Sequence, residues 1–295
     1  MRTLFFLIAL LLGSSPVLLA QTDKALLGQL AEENKKSVEA LALYPENTRL
    51  AILESAKYPE VLIKMKSAQE KTSAAFRTLI EDYPRSTQEV FFDLTRYPGL
   101  IADLVARRND RDATWQALQV LPKAKRDNAL GVAERQSNTL AKINDLQRTA
   151  QGVFENMIAP YPAPAQAAFR QLLDLPEVID ILNEDLRFTI LVGDVYQENP
   201  AWVIHKMDSL NLVVARQHAE ELDQWKSAID NDPQAREELR SAAREYAGEY
   251  GYTDELYDVY NDDLYADYDV EYTVVEHYYH YNYPYWFGYP WWAPQ

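Results

Sequence analysis

Proline recurs along the first 245 residues at a nearly constant interval, and this recurrence limits the architecture more than any other feature. Six tyrosines precede residue 246, and five stand directly before proline, at Tyr44-Pro45, Tyr58-Pro59, Tyr83-Pro84, Tyr97-Pro98 and Tyr161-Pro162. With Leu121-Pro122 and Asn199-Pro200 included, the leading prolines 45, 84, 122, 162 and 200 are 39, 38, 40 and 38 residues apart. Proline has no N–H and disfavours helical geometry in the residue before it, yet it suits the first turn of a helix, where that N–H would have no partner. Each X-Pro step therefore reads as one helix ending and the next beginning. A second step follows 14 residues after Tyr44, Tyr83 and Tyr161, at Tyr58, Tyr97 and Leu175, but not after Leu121 or Asn199. The interval lies in the range of helical-repeat arrays. Two readings stay open, a tandem repeat and a coincidence of helix-start prolines.

The stretches between the steps have helical spacing. Val61, Leu62, Met65, Phe76, Leu79, Ile80 and Tyr83 fall near one side of a long helix, as do Leu140, Ile143, Leu146, Val153, Phe154, Met157 and Ile158, and Leu222, Trp225 and Ile229 continue the pattern. Asn199-Pro200 and Asp232-Pro233 have the form of an N-cap followed by a first-turn proline. With 47% hydrophobic residues the chain can build a core. The expected fold is all-α, a helical hairpin array over residues 21–245 with a repeat of 38 to 40 residues.

From Glu245 onward the composition changes. No Lys or Arg follows Arg244, while 11 acidic residues do, so this part supplies -11 of the net charge of -16. Residues 246–276 read as an acidic, Tyr-rich linker, within which Asp267 to Val275 alternates as a strand would. Residues 277–295 read as an aromatic low-complexity terminus. Tyr and Trp pair an apolar ring with a polar tip and favour interfaces, so Tyr283, Tyr285, Trp286, Phe287, Tyr289, Trp291 and Trp292 are the candidate interaction residues, for an envelope protein or a glycan. The competing reading folds this segment back on the helical body. On the first reading the terminus is separable and the body stable without it.

The N-terminus runs from Met1-Arg2 through the apolar stretch Leu4 to Leu12, a Gly13-Ser14-Ser15-Pro16 break and Val17-Leu18-Leu19-Ala20 into polar Gln21-Thr22-Asp23. That is the layout of a secretory signal peptide over residues 1–20. Removal after Ala20 predicts an exported chain without a transmembrane span, in the periplasm or at the cell surface. The absence of cysteine excludes thiol nucleophiles, iron–sulfur ligation, disulfides, thiolate zinc sites and a bacterial lipid anchor. The net charge of -16 disfavours nucleic acid.

Candidate chemistry is sparse. His205 and His218 read as surface or packed helical histidines, and His218 lacks the second histidine of a zinc-protease helix. Glu276, His277 and His280 could converge on a metal only if their stretch were helical, which its composition argues against. Asp262, Asp263, Asp267, Asp269 and Glu271 lack the glycine of a calcium loop and read as a solvated linker. Glu184, Asp185 and Asp194 could serve a paired-carboxylate hydrolase, though carboxylates near helix starts also serve as caps. No glycine-rich phosphate loop is present, and neither cofactor nor resident metal is expected.

Two segments carry a family resemblance. ALALYPENTRLAILESAKYPEVLIKM, residues 40–65, and LPEVIDILNEDLRFTILVGDVYQENPAWVIHKMDSL, residues 175–210, resemble in that order the two halves of a bacterial exported family catalogued as domain of unknown function 3300. Residues 66–160, with another Tyr-Pro pair, would be an insert relative to that pattern. The resemblance implies a helical exported protein and brings no catalytic residues. The resulting expectation is an exported helical scaffold or interaction protein of the cell envelope without catalytic chemistry. The alternative is a carboxylate-dependent hydrolase acting on an envelope polymer.

Overall fold

The computed structural model describes residues 16–250 and 283–292. The described residues form fourteen α-helices and no strand. In order these are α1 (Pro16–Glu33), α2 (Lys35–Ala42), α3 (Glu46–Ala56), α4 (Pro59–Ile80), α5 (Arg85–Thr95), α6 (Leu100–Ala106) and α7 (Arg111–Ala117). Then follow α8 (Lys123–Arg135), α9 (Ser137–Ile158), α10 (Ala163–Leu172), α11 (Pro176–Glu184), α12 (Leu186–Glu198), α13 (Pro200–Asp230) and α14 (Pro233–Tyr250). Single 3-10 turns occupy Leu118–Val120 and Tyr285–Phe287. The all-α expectation holds. Residues 1–15 of the signal-peptide reading, the strand expected at Asp267 to Val275, and Glu276, His277 and His280 lie outside the described residues.

The X-Pro steps fall at helix junctions and are of two kinds, except Tyr97-Pro98, which lies in the turn before Gly99, the N-cap of α6. At Pro59, Pro176 and Pro200 the proline occupies the first turn, after Tyr58, Leu175 and Asn199. Pro45, Pro84, Pro122 and Pro162 instead sit one position earlier, as extended N-cap residues with ψ of 154, 147, 139 and 151°. These four share a device. The residue four positions beyond the proline reaches back to the carbonyl before it: Arg49 donates to Tyr44 O at 2.7 Å, Gln88 to Tyr83 O at 2.7 Å, Arg126 to Leu121 O at 2.8 Å and Gln166 to Tyr161 O at 2.8 Å. A carbonyl left over where one helix stops is thereby satisfied without water. Asn199-Pro200 departs from this, its Asn199 side chain accepting from Trp202 N instead.

Helix lengths follow about twice the proline interval. The 11-residue α3 and 13-residue α8 each lead into a 22-residue helix, α4 or α9, whereas α5 and α10 lead into the short α6 and α11. Buried side chains recur at an offset of 78: Leu62 and Leu140, Phe76 and Phe154, Ile80 and Ile158, Phe91 and Phe169, Leu104 and Leu182. Packing follows the same exchange, α3 lying against α10 and α5 against α8. The long helices α4 and α9 cross each other, and they run antiparallel. The first half of α4 (Val61, Leu62, Met65) shares a core cluster with the end of α9 (Phe154, Ile158), and the end of α4 (Phe76, Ile80) shares a second with the start of α9 (Leu140, Ile143). Val153 and Trp225, expected on apolar faces, are instead exposed.

A third, smaller cluster joins Leu27, Leu53, Val195 and Val203 where α12 crosses α3. The crossing is tight at Gly193, where any Cβ would run into the carbonyl of Ala56. Glycine is needed there for the backbones to meet.

Candidate functional site

Residues 283–292 lie in a groove walled by α4, to which α9, α11 and α5 contribute Phe154, Asp180 and Phe92. The segment carries no charged side chain. Pro284 starts it as an N-cap does, its carbonyl accepting the N–H of Phe287 at 3.0 Å and of Gly288 at 3.2 Å, which makes one turn of 3-10 helix from Tyr285 to Phe287. That turn points adjacent aromatic side chains at two core clusters. Trp286 joins the cluster of Phe154 and Phe287 the cluster of Phe76, with ring centroids 5.9 and 4.6 Å apart. Phe76 and Phe154 are themselves a pair at the offset of 78, and the turn straddles the two main core clusters.

Polar contacts hold the strap in register. Ser73 Oγ donates to Phe287 O at 2.8 Å. Gly288 follows with φ of +69°, a region costly for other residues, and a Cβ there would stand 2.8 Å from Gln69 Nε2. Tyr283 OH donates to one oxygen of Asp180 at 2.7 Å, while Lys66 Nζ donates to the other at 3.1 Å. Burial, reinforced by the hydrogen bond to Asp180, pushes the Tyr283 phenol well above the ordinary tyrosine range. Downstream, the Arg77 and Arg85 guanidinium groups lie 5.3 and 4.4 Å from the ring centroids of Trp291 and Trp292, within cation–π range.

The seven candidate interaction residues are thus brought together, but mostly facing inward. Tyr285, Trp286 and Phe287 are buried, Tyr283, Trp291 and Trp292 are half-buried, and Tyr289 is exposed. For residues 283–292 the folded-back reading is the one observed. The reason is physical: Phe76 and Phe154 present apolar faces against which Phe287 and Trp286 pack. The Tyr285 hydroxyl is buried with no hydrogen-bond partner among the described residues, and its burial, with Asp180 and Glu70 nearby, pushes its ionisation up. A buried unpaired hydroxyl costs stability. Tyr285→Phe is therefore expected to stabilise the protein by up to about 1 kcal/mol in urea unfolding, and a loss of 1 kcal/mol or so would show that the hydroxyl has a partner.

The hydrolase candidates are dispersed by comparison. Asp185 is the N-cap of α12, accepting from Arg187 N at 3.0 Å and Phe188 N at 3.1 Å, and it also takes a 2.8 Å hydrogen bond from Asn34. The backbone hydrogen bond from Phe188 is the main cause that holds its carboxyl below the ordinary range, against the opposing effect of burial. Asp194 is exposed, nine residues further along α12. At 1.5 Å and 100° per residue it stands about 13 Å away on the opposite side. Glu184 is exposed at the end of α11, where it lines an open groove of about 590 Å³ with Lys66, Glu70 and Asp180. His205 and His218 are exposed on α13. No group of three metal-ligating side chains occurs among the described residues.

The cap role of Asp185 has a pH signature. Its folded pKa is depressed, so its contribution is fully present above the unfolded value near 3.9 and is lost as pH falls through the lower folded value. Asp185→Ala is expected to cost about 1 kcal/mol at neutral pH. The cost should shrink in the acid window below about pH 4, and an equal cost at pH 7 and pH 2 would refute the assignment.

No helix among the described residues is long and apolar enough to cross a membrane. No family model, curated protein or solved structure matches the chain.

Proposed function

We propose that the protein is an exported, non-enzymatic helical scaffold of the bacterial cell envelope, related to the family catalogued as domain of unknown function 3300, that works by peptide-in-groove recognition. The observation that supports this best is the seat itself. An uncharged aromatic segment is held by ring contacts with Phe76, Phe154 and Phe92, by side-chain hydrogen bonds from Ser73 and to Asp180, and by guanidinium groups over its tryptophans. Apolar pockets for anchor side chains, with a few polar groups that set register, are the means by which grooves recognise peptides. Exposed Tyr289 and the outer parts of Trp291 and Trp292 form the rim on which an envelope protein would land. The hydrolase reading is less well supported, because Asp185 is engaged as a cap and Asp194 faces away from it.

Two measurements test the proposal. Mass spectrometry of the mature protein from an envelope fraction should find an N-terminus near Gln21, and an intact Met1 would contradict export. A photo-reactive side chain in place of Tyr289 should crosslink to a discrete envelope protein in living cells. Crosslinking only to glycan would contradict a protein partner, and loss of envelope association in Glu184→Gln or Asp194→Asn would favour the hydrolase.

A further inference from the structure

We propose that the strap is exchangeable, and that the segment 283–292 of a second copy of this chain can take the seat in trans, joining two copies reciprocally. This rests on the groove-recognition reading and names its partner. Among the described residues, the contacts that tie the strap to the body are made with residues far earlier in sequence: Ser73 is 214 positions from Phe287, and Asp180 is 103 positions from Tyr283. These anchors do not involve the chain that lies between, so they fit the strap of a neighbour as well as their own. Ten residues carry the whole set of anchors, from the Asp180 hydrogen bond of Tyr283 to the Arg85 contact of Trp292.

The length of chain between body and strap permits the exchange. Residues 251–282 separate the end of α14 from Tyr283. Thirty-two residues can span at most about 110 Å, whereas a body of some 235 residues has a radius of gyration of about 18 Å. A strap can therefore reach the groove of an adjacent copy as well as its own. Nine carboxylates and no Lys or Arg lie in residues 251–282. Because both closures make the same contacts, the balance is one of concentration. A connection of this length supplies an effective concentration on the order of millimolar, so the self-closed monomer prevails in dilute solution and exchange prevails where copies are crowded together. Exchange of identical elements is a low-cost route to dimers.

The experiment uses two full-length variants. In Trp286→Ala/Phe287→Ala the seat is intact and the strap disabled. In Ser73→Tyr the strap is intact, and the new ring fills the space beside Gly288, so the seat is blocked. Each alone should sediment as a monomer at micromolar concentration. Mixed in equal amounts they should form a one-to-one dimer, because the donor can no longer close on itself and the acceptor is empty. A fluorescent peptide of residues 282–293 should bind the acceptor at least about tenfold more tightly than the unaltered chain, whose own strap competes. Two monomers in the mixture, with both variants helical by circular dichroism, would overturn the proposal. Should the donor fail to fold, the peptide decides the matter, and equal or absent binding to acceptor and unaltered chain overturns exchange. Retention of the Tyr289 crosslink to an envelope protein in that event would leave groove recognition standing without exchange, and its loss would remove both.

Discussion

Removing residues 283–295 is expected to lower the stability of the whole helical body, by several kcal/mol in urea unfolding and with a clear fall in melting temperature. Tyr285, Trp286 and Phe287 are only 4%, 6% and 2% exposed, and their removal uncovers Phe76 and Phe154 in both main core clusters. Truncating a buried Phe or Trp to Ala typically costs about 3–5 kcal/mol. Phe287→Ala and Trp286→Ala should each lie in that range or below it, since the strap can release rather than tolerate a cavity. For the same reason the two losses should not add. Once the strap is free, a second truncation changes nothing further, and the double variant should match the deletion. Additive losses that exceed the deletion would mean that the strap does not act as a unit. A melting temperature unchanged by deletion would mean that it is not part of the core.

Gly193→Ala should be the most damaging single-methyl change in the body. The added carbon runs into the carbonyl of Ala56, with Lys57 N also close, and backbone atoms cannot rotate away as a flexible side chain would. The crossing of α12 over α3 must open, which loosens Leu53, Val195 and Val203 together. Overpacking of this kind costs typically about 1–3 kcal/mol. Gly193→Val should prevent a cooperative fold under ordinary conditions. Gly152→Ala, at a helical position where a Cβ meets nothing within 4 Å, is the control and should stabilise slightly. Near-neutral unfolding energy for Gly193→Ala would show that the backbones of α12 and α3 do not meet at Gly193.

Local signals were legible in the sequence, and long-range ones were not. Proline reports on its own peptide unit, so Tyr44-Pro45, Tyr83-Pro84 and Tyr161-Pro162 announced junctions correctly. Asn199 and Asp232 announced caps for the same reason, and both accept the expected backbone N–H groups. The apolar faces carrying Phe76 and Phe154 were visible in their spacing. What spacing cannot reveal is which face meets which, and the mutual exchange of α3, α5, α8 and α10 appears only in the contacts. Equal proline intervals even concealed a difference, since some prolines serve as N-cap and others as first-turn residue. A long donor four residues after the proline, as in Arg49, Gln88, Arg126 and Gln166, separates the two kinds and was available in the sequence. Gly193 stood within the family-like segment 175–210 with nothing local to mark its role, which is steric and set by the carbonyl of Ala56. The aromatic tract carried a composition suited to interfaces but no address, because its seat is built from residues more than 100 positions away.

The strap's place in the groove is tested most directly by amide hydrogen exchange on the unaltered chain, read at peptides covering residues 283–292 and 66–80. The account predicts slow exchange at Phe287 and Gly288, whose N–H groups are bonded to Pro284 O, and faster exchange along the exposed side of α4 only when the strap is disabled by Trp286→Ala/Phe287→Ala. Exchange of residues 283–292 at the rate of an unstructured peptide, with α4 unaffected by the substitutions, would contradict it.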